Sequence, residues 1–311
     1  MSPRRNAPAP ISTPTGGKLI AFGWYGGKFS HLDWLLPLLP KTPYYCEPFA
    51  GSAAVLLNRE PSTVETYNDL DGEVAAFFRV LREQGDELTK AIALTPFSRE
   101  EFALACKLDP EILPLERARR FYVRARQVRT GLAQMASLGR WANCKDTSRA
   151  GMSGVVSRWF GGVEALPQIA ARLLRVQIEN RPAVDVIRLY DSPDTLFYLD
   201  PPYVHDTRGD SKAYKFEMTD EQHRHLADAL NAAKGKVAIS NYDCELYRKF
   251  FPERRWHKFS IETTNHATKG RRTECLWCNY NPIEVRAAKE AGLPRRVRER
   301  NDQKAPMLLS L

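Results

Sequence analysis

The sequence predicts an α/β fold, a doubly wound mixed sheet with a mostly helical, basic segment inserted around residues 72–165. Three observations predict it. A β-α-β unit is legible between residues 44 and 69, and short apolar runs bounded by turn residues recur after residue 173. Between them the pattern changes to helical periodicity and concentrated positive charge.

Residues 1–17 hold four prolines and two glycines and few large apolar side chains, so they read as a flexible leader. From Lys18 the chain turns apolar, then passes through Gly23-Trp24-Tyr25-Gly26-Gly27-Lys28. A short helix is expected next, with Ser30 as its cap and Leu32, Trp34, Leu35 and Leu36 along it. Tyr44 to Phe49 reads as a strand that breaks at Ala50-Gly51-Ser52. Ala53 to Leu57 begins a helix, and Val64 to Asp69 is a second strand ending in an acid. Strand, glycine turn, helix and strand compose one parallel β-α-β unit.

Gly72 to about Leu132 is helical in pattern. Near its end Leu115, Ala118, Phe121, Tyr122, Ala125 and Val128 share one side, with arginines on both edges. Gly131 to Gly162 is small, polar and basic, with Trp141 and Trp159 set into it; it reads as a long loop or small β-element. Leu166 to Val176 returns to helix and grades into a strand at 173–178. Thr195 to Leu199 is an apolar strand that ends at Asp200-Pro201-Pro202-Tyr203. A helix at 219–233, the strand Lys236 to Asn241, a further helix, and strands near 256–263 and 274–280 complete the sheet. The sheet domain is thus 18–71 with 166–285, the insertion 72–165, and 286–311 a basic, low-order tail.

Composition removes several function classes. With 43% hydrophobic and 27% charged residues the chain is globular. No run approaches the roughly 18 apolar residues that cross a bilayer, and the N-terminus has no apolar signal core. Six scattered cysteines point to a reducing compartment, the cytoplasm. The net charge is +9, and residues 115–160 alone hold ten basic side chains against two acids. That concentration fits a phosphate-binding surface; the alternative is a solvated arginine-rich helix face.

Two motifs carry chemistry. In Glu47-Pro48-Phe49-Ala50-Gly51-Ser52, a glycine at a strand-to-helix turn lets a ligand approach the backbone, and Asp69 ends the next strand where ribose hydroxyls would be bound. Ala53 and Ala54 stand where a pyrophosphate cradle would need glycines, so an adenosine cofactor without phosphates, S-adenosylmethionine, fits better. The competing reading is an ordinary tight β-α turn. In Asp200-Pro201-Pro202-Tyr203, two prolines remove two N–H donors and leave a carboxylate among carbonyls, an acceptor-only pocket for an amine, with a tyrosine face for a flat ring. The competing reading there is a rigid proline turn. Gly26-Gly27-Lys28 is followed by Phe29 and not by Ser or Thr, so it is no nucleotide P-loop. Cys275 and Cys278 lie in an apolar strand pattern and read as core rather than zinc ligands, so no metal site is expected. His223 and His225 read as surface residues.

Taken in order, Trp24-Tyr25-Gly26-Gly27-Lys28, Glu47-Pro48-Phe49-Ala50-Gly51-Ser52, Asn68-Asp69, the basic insertion and Asp200-Pro201-Pro202-Tyr203 resemble the DNA adenine methylase family. Thr219-Asp220-Glu221-Gln222, Ile239-Ser240-Asn241 and Thr273 to Tyr280 are similar to its closing elements. The resemblance implies a Rossmann-like methyltransferase sheet with a DNA-recognition insertion. It also implies methyl transfer from S-adenosylmethionine to the N6 amine of adenine in double-stranded DNA. By motif matching, Asp200, Pro201, Pro202 and Tyr203 are the expected catalytic residues. Trp24, Lys28, Glu47, Phe49, Gly51, Asp69 and Asp200 are the expected cofactor residues. Arg124, Arg126, Arg129, Arg140, Lys145 and Arg149 are the expected DNA contacts, Arg126 as a base reader. A restriction nuclease is a candidate partner, and a monomer or weak dimer the expected state. Methylation of N4-cytosine, an RNA substrate and a non-catalytic DNA-binding role stand as alternatives. Ala125 to Leu132 keeps the arginine and Gly-Leu of GATC readers but not their asparagines and aromatics, so the target sequence is not carried over.

Overall fold

The computed structural model describes residues 17–107, 109, 111–129, 136–147, 151–204, 216–264 and 271–292. A 3-10 turn (Lys28–His31) runs into α1 (Leu32–Leu38), and β1 (Tyr44–Glu47), α2 (Ala54–Asn58) and β2 (Val64–Asn68) form the β-α-β unit. Helices α3 (Gly72–Glu83), α4 (Gly85–Ala93), α5 (Arg99–Ala105), α6 (Pro114–Gln127) and α7 (Gly154–Leu173) follow. The chain then returns through β3 (Val176–Glu179), α8 (Ala183–Tyr190), β4 (Thr195–Leu199), α9 (Asp220–Ala232) and β5 (Lys236–Tyr242). It ends with α10 (Glu245–Phe250), β6 (His257–Thr264), β7 (Arg271–Cys278) and α11 (Pro282–Ala291).

The sheet order is β3-β2-β1-β4-β5-β7-β6. Strands β1 to β5 run parallel and β7 runs antiparallel between β5 and β6. This is the doubly wound mixed sheet expected. Its strand order reverses between β1 and β4, and a crevice for ligands opens outside the carboxyl ends of such neighbours. Side chains alternate across the sheet, as a strand's two-residue period requires. Tyr45, Tyr67, Leu196, Tyr198 and Ala238 join one core, while Cys46, Phe197, Leu199, Val237 and Ile239 join the other.

The insertion shares the first of these cores. Phe77 and Phe78 of α3 and Phe121 of α6 lie with ring centroids 5.5, 5.7 and 5.2 Å from Phe22, and Phe78 also meets Tyr67 at 5.1 Å.

Several local expectations change. Residues 154–162, expected in a loop, are the start of α7 despite Gly161, Gly162 and Pro167. Val155, Trp159, Val163, Leu166, Ile169 and Leu173 form a buried stripe at helical spacing, and that burial outweighs the weak propensity. The boundary expected at 165 therefore falls inside one helix. So does the one at 285: Arg286 is in α11 and pairs with Glu290 at 2.7 Å, while the rest of the expected tail from 293 lies outside the described residues. Gly17 is the one described residue of the expected leader. Ser30 lies in the 3-10 turn and does not cap α1. His223 is buried, its Nδ1 3.0 Å from the Tyr247 hydroxyl, whereas His225 is exposed as expected. Cys275 and Cys278 are buried in β7.

Candidate active site

The chain after β1 must turn sharply to enter α2, and two residues there are left-handed: Gly51 at φ 49° and Ala53 at φ 56°. Gly51 is required for a second reason. A Cβ at this position would lie 2.7 Å from Trp24 Cδ1, so the indole edge occupies the space a side chain would need. Asp69, just past β2, holds the turn from the other side. One carboxylate oxygen accepts the Gly51 N–H at 2.8 Å and the other accepts the Asp71 N–H at 2.8 Å. The Tyr67 hydroxyl donates to the Gly51 carbonyl at 2.9 Å.

Asp200 leaves β4 at the same edge of the sheet. Lys28, 4% exposed, places its ammonium 2.6 Å from Asp200 Oδ1 and 3.4 Å from Glu274 Oε1, and donates to the Gly26 carbonyl at 3.0 Å. The same ammonium lies 4.9 Å from the centroid of the Tyr203 ring. Tyr203 is buried, its hydroxyl donates to Glu274, and its ring meets Tyr242 edge-on at 4.7 Å.

These parts surround one cavity with an empty volume of about 910 Å³, its open mouth included. All seven expected cofactor residues line it: Trp24, Lys28, Glu47, Phe49, Gly51, Asp69 and Asp200. Of the remaining motif, Pro202 lines the cavity, while Pro201 and Tyr203 are buried beside it. The sequence reading missed Tyr198, Leu70, Phe216, Met218 and Gln222 on the cavity wall, and Glu274 behind it. Gln222 is visible in principle as the third residue of a capping box with Thr219. Glu274 is a lone acid before the apolar run Cys275-Leu276-Trp277, inside the 273–280 stretch of the family resemblance, where nothing local gives it a role.

Burial tunes these acids. It pushes the Glu47 carboxyl up to about 8, against the hydrogen bond from Tyr45 and the charge of Arg59. It pushes Asp69 up to about 6, with the Asp71 and Gly51 amides pulling the other way. Lys28 is held above the usual lysine range, because two carboxylates outweigh its burial. Near neutral pH Glu47 is therefore largely protonated and Asp69 largely ionised, and the lysine of the cleft is already paired.

The expected DNA contacts divide. Arg124 is buried, pairs with Glu73 at 2.7 Å and donates to the Ala105 carbonyl at 2.6 Å, so its charge is spent within the insertion. Arg126, half-buried, donates to the Arg158 carbonyl on α7 and lies over Gly162, so it braces two helices. Arg129, Arg140 and Lys145 are exposed in the segment between α6 and α7. Arg149 lies outside the described residues.

Over residues 24–266 the sequence matches the family described as D12 class N6 adenine-specific DNA methyltransferase. Two relatives are DNA adenine methylases of Escherichia coli, from strain K12 and from O157:H7. Each is 23% identical over 279 residues, covering 86% of this chain and 97% of the relative. Among solved structures, the rRNA methyltransferase aviRa from Streptomyces viridochromogenes covers 84% of this chain and 86% of its own, at 13% identity and a TM-score of 0.35. The family match takes in both motifs of the cleft and more than half of the sequence, and the chain belongs to the D12 class of N6 adenine-specific DNA methyltransferases.

Proposed function

We propose that the cleft binds S-adenosylmethionine beside an adenine drawn out of duplex DNA, with Asp200 as the group that activates the adenine amine. The observation that carries this reading is convergence: the 47–52 turn, Asp69, Asp200 and Pro202 line a single cavity at the carboxyl edge of the sheet.

The donor set fits that cofactor. Four acidic side chains, of Glu47, Asp69, Asp200 and Glu217, line the cavity, Glu47 held largely protonated near neutral pH by its burial, and among the described lining residues the one basic side chain, Lys28, already faces two acids. Such a field favours a cationic nucleoside over a pyrophosphate. Trp24, Phe49 and Leu70 offer apolar surface for a purine, and Asp69 and Glu47 offer acceptors for hydroxyl or ammonium donors. When bound, S-adenosylmethionine supplies a methyl group already activated by a positively charged sulfur.

The chain's own residues then prepare the nucleophile. The lone pair of an exocyclic adenine amine is delocalised into the ring, which makes it a weak nucleophile. An Asp200 carboxylate accepting one N–H, and a backbone carbonyl of the proline pair accepting the other, draw the nitrogen toward tetrahedral geometry and free that lone pair. Pro201 and Pro202 contribute no N–H that would compete. Flipping the base costs a few kcal/mol, offset by contacts in the pocket. Residues 72–165 serve as the recognition insertion, with Arg140 and Lys145 as exposed candidates for contact with the duplex. The protein acts as a monomer or weak dimer in a bacterial or phage-infected cytoplasm, with a cognate restriction nuclease as a candidate partner.

Expression in a host free of DNA methylation, followed by modification-sensitive sequencing, tests this. N6-methyladenine in one recurring context is the expected product, absent with Asp200→Ala. Methylation at N4 of cytosine, or no mark on DNA at all, overturns the reading.

A further inference from the structure

We propose that Glu274, on β7 and outside every motif that marks the cleft, is a positioning residue for the transfer, acting through Lys28 and Tyr203. The inference rests on the assignment of Asp200 as the group that meets the target amine. In this structure Asp200 Oδ1 is already engaged by Lys28 at 2.6 Å. An amine that takes the Oδ1 position displaces a buried ammonium, and an ammonium left unpaired in a buried site is strongly unfavourable. Glu274 removes that obstacle. Its carboxylate, 3% exposed, lies 3.4 Å from the same ammonium, so Lys28 can release Asp200 and remain paired after a small shift. Glu274 also accepts the Tyr203 hydroxyl, so the residue that takes Lys28 fixes the ring beside it.

The backbone gives Glu274 a firm base. It stands opposite Tyr242 on β5 and opposite Ile261 on β6, so both edges of its strand are paired at this point. Tyr242 in turn meets the Tyr203 ring edge-on. Acid, lysine and tyrosine form one buried set with the catalytic aspartate.

Glu274→Gln keeps the shape and an acceptor for the Tyr203 hydroxyl while removing the charge. With tritium-labelled S-adenosylmethionine and genomic DNA from a methylation-free host as the probe, kcat is expected to fall by about tenfold or more, with the cofactor KM within about threefold. Glu274→Asp, which keeps the charge, is expected to recover part of the loss. If the Gln variant fails to fold, Glu274→Asp carries the test: a kcat reduced by about threefold at parental melting temperature supports the role, and parental kcat overturns it. Parental kcat in a folded Glu274→Gln, alongside an inactive Asp200→Ala, overturns the role of Glu274 and leaves that of Asp200 standing. Turnover by Asp200→Ala overturns the catalytic assignment, and the Glu274 proposal with it.

Discussion

The cleft at the carboxyl edge of the sheet arranges its acids around open space, whereas the insertion turns many of its arginines on acids of its own. Glu47, Asp69 and Asp200 border one cavity. In the insertion Glu116 holds Arg119 and Arg120, each at 2.7 Å, Glu101 takes Arg119 at 2.8 Å, and Glu73 takes both Arg117 and Arg124. Buried charge faces a ligand in the first region and a neighbouring helix in the second. A count of arginines therefore overstates the surface left for phosphate, because α6 uses its charge to fasten α3 and α5. The exposed basic side chains in the segment between α6 and α7 include Arg140 and Lys145.

The sharpest break of this comparison sets Asp200 against Arg124. Asp200→Ala should remove methyl transfer almost entirely, a loss of about 10²–10³-fold or more by analogy with deletion of one aligned hydrogen-bonding group in an active site. The fold should persist because Lys28 keeps Glu274 as its partner, with a modest drop in melting temperature, and a binding titration should show DNA affinity nearly unchanged. Arg124→Ala should do the reverse. Removing one partner of a buried ion pair costs ~3–5 kcal/mol, and somewhat less here because Arg117 still pairs with Glu73. The melting temperature should drop while the salt dependence of DNA binding stays parental. A stable Arg124→Ala with a reduced salt slope would return that residue to the DNA surface.

Asp69 sharpens the contrast within the cleft, because it serves both structure and ligand. Asp69→Ala should weaken S-adenosylmethionine by ~1.5–3 kcal/mol, the usual range for a hydrogen bond to a charged group. It should also lower stability, since the Gly51 and Asp71 amides lose their acceptor. The pH dependence has a definite sign. Burial raises this carboxyl from 3.8 to about 6, so the folded protein holds the proton more firmly than the unfolded chain does. Stability from this group is therefore full below 3.8 and is lost as pH rises through about 6. A cationic ligand prefers the ionised form, so cofactor affinity should rise as pH passes upward through about 6. Calorimetry on Asp69→Asn should show that step removed; a step that survives there belongs to another acid, Glu47 first.

The legible parts of the molecule were those whose cause is local. A strand that ends in a glycine turn, an acid at the end of the next strand and an apolar strand stopped by two prolines each fix backbone geometry within a few residues. Parallel pairing then carries β1, β2 and β4 to the same edge, which is why Glu47, Phe49, Gly51, Asp69 and Asp200 met at one cavity, where Trp24 and Lys28 join them from the segment that leads into α1. The illegible parts depend on distant partners. Glu274 reaches Lys28 only because β7 inserts antiparallel between β5 and β6. Arg124 is buried only because Glu73, 51 positions earlier, comes to lie beside it. Helix α7 begins in a glycine- and serine-rich stretch because Trp159 fits beneath Tyr122, with ring centroids 5.5 Å apart. The first two cannot be read from spacing, whereas the apolar positions of α7 do recur at helical spacing and were masked by its glycines.

The smallest expected effect lies on the exposed side of the insertion. Arg140 and Lys145 are exposed, and neither makes an ion pair among the described residues. If they contact phosphates, each neutralises one charge and releases the counterions condensed there, so log affinity falls with log salt at about −0.9 per contact. Arg140→Ala and Lys145→Ala should each flatten that slope by about one and weaken all DNA sequences alike. Melting temperature should not move, because no buried group loses a partner. Arg126→Ala is the internal comparison. It deletes a bond to the Arg158 carbonyl across two helices, so it should cost about 0.5–1.5 kcal/mol of stability and leave the slope unchanged. If Arg126→Ala instead flattens the slope while Arg140→Ala and Lys145→Ala do not, the DNA surface lies on α6, and the division between bracing and exposed arginines is wrong.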